Sequence, residues 1–151
     1  MPLVVGTDTY ISLTDAEAYI ADYGDEGSVV VEADLRKATL AIDRLYGGRF
    51  SGYITSPTQD LLFPRNGDLT IPKAVAHATV ELAVLLNGGT NPYAAPEPAL
   101  TEEQVEVDVL KQVRKFAGGG YAADPLHKIT TILAPVLSGS AGLSMISVVR
   151  A

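Results

Sequence analysis

The chain has 151 residues, 47% of them apolar, and no cysteine. That is enough for one domain with its own core, and it excludes disulfide frameworks, thiolate metal sites and cysteine nucleophiles. Lys and Arg number 11 against 18 Asp and Glu, a formal net charge of -7, the wrong sign for non-specific binding to a phosphate backbone.

Mean hydropathy is high at +0.19, yet no run of about 18 apolar residues occurs, so no bilayer span is expected. Met1-Pro2-Leu3-Val4-Val5-Gly6 has neither a basic n-region nor a long apolar stretch, which points to synthesis and folding in the cytoplasm. Charge is segregated along the chain. Residues 1–30 hold six acids and no base, residues 96–110 five acids alone, and residues 111–151 five bases and one acid. Such blocks are either solvated surface or complementary faces between identical subunits.

Thr14-Asp15-Ala16-Glu17 has the spacing of a capping box and opens a first helix that ends near Tyr23, with Gly24 as a left-handed stop. Ala16, Tyr19, Ile20 and Tyr23 share one face. A second helix runs from about Val31 to Tyr46 on Leu35, Ala38, Ile42 and Leu45, and Gly47-Gly48 end it. Glu32 and Arg36 support its exposed side. From Gly47 to Thr70 the punctuation is Gly, Pro, Asn and Asp, with Tyr53-Ile54 and Leu61-Leu62-Phe63 as apolar anchors and Pro64-Arg65-Asn66-Gly67 as a turn. A loop this long packs over the helices or contacts a partner.

The third helix opens at Ile71-Pro72 and runs to Asn87. Val75, Ala78, Leu82, Leu85 and Leu86 form one face, and Ala76, Val80, Ala83 and Val84 make most of the rest apolar, so the helix is central. Lys73, His77 and Glu81, spaced four apart, form its one polar stripe. With no nucleophile or second acid beside it, the stripe reads as buried or intersubunit polarity rather than as a catalytic base. Residues 88–101 form an extended loop. Val105, Val107 and Val109 then alternate with acids as a strand or hairpin does, although Leu110, Val113 and Phe116 also fit a helix. Gly118-Gly119-Gly120 is a hinge without dinucleotide-binding spacing.

Asp124 caps the last helix with Pro125 in its first position, and Leu126, Ile129, Leu133, Val136 and Leu137 face inward, with Pro135 bending the final turn. The tail carries Leu143, Met145, Ile146, Val148, Val149 and Arg150, a β-prone stretch that either joins a small sheet of its own domain or completes a neighbour's surface. These tail residues are the candidate partner-binding set, and Lys73, His77 and Glu81 the candidate intersubunit polar set. The expected fold is mainly α, a single domain over residues 1–151. It is a bundle of about four helices with a long ordered loop, a hairpin arm within 88–123 and a tail at 141–151. No P-loop, HExxH or GxSxG motif occurs, and neither an enzyme nor a cofactor is expected.

Tyr46-Gly47-Gly48-Arg49-Phe50, Gln59, Leu61, Phe63-Pro64-Arg65 and Ile71-Pro72, followed by Val75, Ala78 and Glu81-Leu82-Ala83, resemble a family of small proteins encoded with tailed-phage head genes. Tyr10 to Ala16 and Leu133-Ala134-Pro135-Val136-Leu137 extend the likeness over most of residues 9–150. The family is that of head-to-tail adaptors, or connectors, some members of which carry a DnaT-like single-stranded-DNA-binding label. The resemblance implies a virion protein of the head–tail neck, made in the host cytoplasm. Its subunits form a ring, usually a dodecamer, between the portal protein and the stopper or tail-completion protein, and DNA passes through the lumen without specific binding. Phe50 and Phe63 depart from the tryptophans common in similar proteins, which weakens base stacking more than packing. Acidic segments 8–26 and 97–108 would keep DNA from adhering to a lumen they line.

Overall fold

The computed structural model describes residues 2–95, 98–105, 112–121 and 124–138. The elements in chain order are α1 (Leu13–Tyr23), α2 (Glu32–Tyr46), α3 (Lys73–Asn87), β1 (Pro98–Val105), β2 (Gln112–Tyr121) and α4 (His127–Leu133). The protein is mainly helical. α3 is the hub, because α1, α2 and α4 all pack on it. Its near-continuous apolar circumference explains this: Val75, Ala78, Val80, Leu82 and Ala83 are all buried. Thr79 is buried beside them because its hydroxyl donates to the Val75 carbonyl at 2.8 Å. Leu35, Ala38, Ala41 and Ile42 of α2, Ala16 of α1, and Ile129 and Leu133 of α4 complete the core. No helix among the described residues is long and apolar enough to cross a membrane.

Helix ends differ from expectation in four places, three of them in α1 and α3. The N-cap of α1 is Ser12, whose Oγ accepts from the Asp15 N–H at 3.1 Å and donates to Asp15 Oδ2 at 2.7 Å, so the cap lies two residues before the expected Thr14. Tyr10 and Ile11 are buried, and that anchoring fixes where the chain turns into the helix. Gly24 is extended, with φ -78, not left-handed. Glycine is required there for another reason: a Cβ would lie 2.7 Å from the Ile20 carbonyl oxygen. Pro72 is the N-cap of α3 rather than a residue of its first turn.

The segment between α2 and α3 is ordered, as expected of a loop that packs over helices. Leu61 and Phe63 reach the core, whereas Tyr53 is 66% exposed and Ile54 37%, so the first anticipated anchor does not hold. Phe63 meets Tyr10 and Phe50 edge to face, with ring centroids 5.9 and 4.7 Å apart. The turn at 65–68 closes through the Asp68 N–H on the Arg65 carbonyl at 3.1 Å, with Asn66 and Gly67 at φ 59 and 81, the left-handed pair that Asn-Gly favours. Arg65 fastens the loop by donating from Nε to the Ser51 carbonyl and from Nη2 to the Gly52 carbonyl, at 3.1 and 2.6 Å.

Asp124 Oδ1 accepts from the Leu126 N–H at 2.9 Å, but this closes a turn ahead of the helix: α4 starts at His127 with Leu126 as its N-cap, so Asp124 is not the cap and Pro125 not the first helical residue. Pro135 falls where the helix tightens into a 3-10 turn, Ala134–Val136. That turn is stitched to residues 49–51: Ser51 N–H donates to the Val136 carbonyl at 2.9 Å, and Ser138 N–H to the Arg49 carbonyl at 2.6 Å. β1 and β2 pair antiparallel from Val105 opposite Gln112 to Pro98 opposite Tyr121, with irregularities around Leu100. A hairpin pairing is thus present, but β1 begins at Pro98, inside the 88–101 stretch expected as an extended loop. Gly118-Gly119-Gly120 lies within β2 rather than forming a hinge, and residues 106–111, with most of the valine alternation, lie outside the described residues.

Candidate interaction surfaces

The polar stripe of α3 meets two other helices. Tyr19 of α1 stacks at a tilt on His77, centroids 4.6 Å apart, and donates its hydroxyl to Glu81 Oε1 at 2.9 Å. The other oxygen of Glu81 takes Lys128 Nζ of α4 at 2.8 Å. Both carboxylate oxygens are therefore engaged, and the stripe links α1, α3 and α4 within one subunit. Burial first, then the hydrogen bond and charge of Glu81, push the Tyr19 hydroxyl up to about 12. Tyr19 and Lys128 were invisible in the spacing of α3 alone, since they come from other elements. Lys73, at the start of the stripe, is exposed.

Beside the stripe, α1 and the N-terminal half of α3 bound an open cleft of about 720 Å³. Tyr10, Ile11, Tyr19, Ile71 and His77 give it apolar and aromatic walls, Asp15 and Asp22 line the α1 side, and Lys73 lines the α3 side. Tyr23 at 71% and Leu69 at 90% exposure extend its rim. Tyr10 at the back belongs to a buried polar lock. Its hydroxyl donates to Asp43 Oδ1, while the Leu62 N–H reaches the Tyr10 hydroxyl and Asp43 Oδ2 at 3.2 and 3.3 Å. Burial raises Asp43 above the usual carboxylate range against these hydrogen bonds and the Arg65 charge. It also raises Tyr10, together with the Asp43 charge, so the phenol stays protonated.

On the far side of α2 a second groove, of about 380 Å³, lies between Lys37, Leu40, Ala41 and Arg44 and the wall formed by Leu86, Pro92 and Tyr93. Lys37 reaches Asp34 only at 3.8 Å, and Asp34 also accepts from Asn87 Nδ2 at 2.9 Å. Leu40 is 47% and Tyr93 51% exposed. These residues were not singled out by sequence reasoning; the seven-residue interval between Lys37 and Arg44, with Leu40 inside it, was the available signal. The tail set, Leu143, Met145, Ile146, Val148, Val149 and Arg150, lies outside the described residues. No group of three or more His, Asp or Glu side chains suited to a metal ion occurs among the described residues.

The fold and these surfaces define a small, mainly helical protein with one acidic and one basic half-apolar face and a two-stranded antiparallel pair among its described residues. Over residues 2–151 the chain matches the family described as "Putative DnaT-like ssDNA binding protein", and it belongs to that family. Comparison with curated proteins and with solved structures returned no match.

Proposed function

We propose that the chain is a structural subunit of a tailed-phage neck. In this role it forms a homo-oligomeric ring, docks on the portal protein at one end and receives the stopper or tail at the other, without catalysing a reaction. The observation that carries this reading is the β1–β2 pair, a sheet of two strands only among the described residues. An isolated two-stranded ladder is marginal in water and leaves both outer edges open, so it is best understood as an arm that a neighbour completes. The resemblance of residues 46–83 to connector subunits points the same way. Lys73 and the open side of His77 are available to such a neighbour, and the 143–150 tail is the other candidate contact.

A second reading, single-stranded-DNA binding, is favoured by the family description. It would use the groove in which Lys37 and Arg44 flank Leu40 beside Tyr93, two cations and one stacking platform. Against it stand the net charge of -7 and the internal engagement of Arg65 and Lys128.

Electron microscopy and sedimentation of the purified chain, alone and with its cognate portal protein, separate the two. Rings that co-migrate with the portal are expected. A monomer that ignores the portal but retards a single-stranded oligonucleotide, with affinity falling steeply in salt, would replace the first reading by the second. Deleting residues 141–151 should impair ring formation or portal binding; an unchanged result in both removes the tail from the contact set.

A further inference from the structure

Building on the connector reading, we propose that the outer face of α1 docks on the outer face of α2 of a second copy of the chain, with Asp15 and Asp22 set against Lys37 and Arg44. The two pairs have matching geometry. Asp15 and Asp22 are seven residues apart on α1, and Lys37 and Arg44 seven apart on α2, so each pair spans about 10.5 Å along its helix axis and stays close to one face. What lies between is apolar on both sides: Ala18 and Tyr19 in the cleft, Leu40 and Ala41 in the groove. Tyr23 and Leu40 are exposed at 71% and 47%, an aromatic and an aliphatic anchor of the kind that centres an interface.

The charges are free to be used. Asp22 and Arg44 have no ion-pair or hydrogen-bond partner among the described residues, Lys37 is held only by its 3.8 Å contact with Asp34, and Asp15 gives one oxygen to the Ser12 hydroxyl and keeps the other. Among the described residues Lys73 is the one Lys or Arg lining the α1 cleft, and with His77 it stands on the opposite, α3 wall. Both helices pack on α3 and share no substantial contact with each other, so one chain cannot bring its own two faces together. Like charge opposes α1 against α1 and α2 against α2, which leaves the unlike pairing. A contact between two different faces is heterologous, and repeated copies close into a ring or run on as a filament.

Charge reversal tests this directly. The doubly substituted chains Lys37→Glu/Arg44→Glu and Asp15→Lys/Asp22→Lys should each self-associate at least tenfold more weakly than the unaltered chain in sedimentation velocity at low salt. An equimolar mixture of the two should recover association, because each then offers the sign the other lacks. Asp15 also supports the α1 cap, so Tyr23→Ala with Asp22→Lys, both at exposed positions, serves as the second variant, and circular dichroism verifies folding. Association of either variant at the unaltered strength, a mixture that stays dissociated, or an unaltered chain that is monomeric throughout would overturn the contact. If the unaltered chain forms rings that bind portal while the variants do too, this contact falls and the connector reading stands. If Lys37→Glu/Arg44→Glu instead abolishes oligonucleotide binding by a monomer, the groove belongs to nucleic acid and both fall.

Discussion

Asp43 is the residue at which fold and solution conditions meet. Its carboxylate holds the Tyr10 hydroxyl and the Leu62 N–H, yet burial raises its pKa above 3.8. A carboxyl raised in the folded state contributes stability fully below its unfolded pKa and loses that contribution as pH rises through the folded value. Denaturant titrations of the unaltered chain and Asp43→Asn should therefore diverge with a definite sign. From about pH 4 upward the unaltered chain should lose stability relative to the variant, and the difference should level off once the buried carboxyl is ionised. Arg65 acts in the opposite sense, as a charge used for geometry. Its fork reaches three carbonyls from one side chain, those of Ser51, Gly52 and, at 3.4 Å, Leu62, and its guanidinium lies 5.9 Å from the Phe63 centroid. Arg65→Lys should cost about 1–2 kcal/mol in chemical unfolding because an ammonium cannot reproduce the planar pair of donors.

At the scale of elements, periodicity and punctuation were informative wherever one element's own residues decide the outcome. The span of α2 follows from Leu35, Ala38 and Ile42 and the glycines at 47 and 48; the centrality of α3 follows from its lack of a polar side. What was not legible depends on residues elsewhere in the chain. Ser12-Leu13-Thr14-Asp15 and Thr14-Asp15-Ala16-Glu17 are overlapping capping patterns, and burial of Tyr10 and Ile11 selects the first. The stripe of Lys73, His77 and Glu81 was visible as spacing, but its partners Tyr19 and Lys128 come from α1 and α4, which no pattern within α3 encodes. Likewise the apolar grooves beside Asp22 and Arg44 come from residues of several elements, which the spacing within α1 or α2 does not encode. The cap assignment makes a paired prediction: Ser12→Ala should lower stability by about 1 kcal/mol, while Thr14→Ala, one residue inside the helix, should change the unfolding midpoint little.

For the whole molecule, the proposed reading divides a helical body that folds from a two-stranded pair that would serve assembly. Replacing residues 96–123 with a flexible Gly/Ser linker should leave the helical circular dichroism and the cooperative melt of the body in place, because α4 packs on α3 without the strands. Ring formation on a native gel should be lost. A melt that broadens or collapses would mean that the arm belongs to the core of its own subunit. Charge then has two uses at this scale. In the proposed ring the acids of the first thirty residues would not all face the lumen, since Asp15 and Asp22 would meet a neighbour and the others would be left to the channel.

The hub arrangement around α3 also sets the order in which the molecule opens. α1 commits one fully buried side chain, Ala16, to the body, whereas α3 is buried from Val75 through Ala83 on several sides. Local opening has its lowest free energy where the fewest apolar contacts must be broken, so the amides of α1 should exchange with deuterium ahead of those of α3 in the isolated subunit. A neighbour covering Asp15, Tyr19 and Asp22 would remove that opening. Assembly should therefore slow exchange most in the helix that a lone subunit holds least firmly, and subunit addition would complete the folding of its own docking surface.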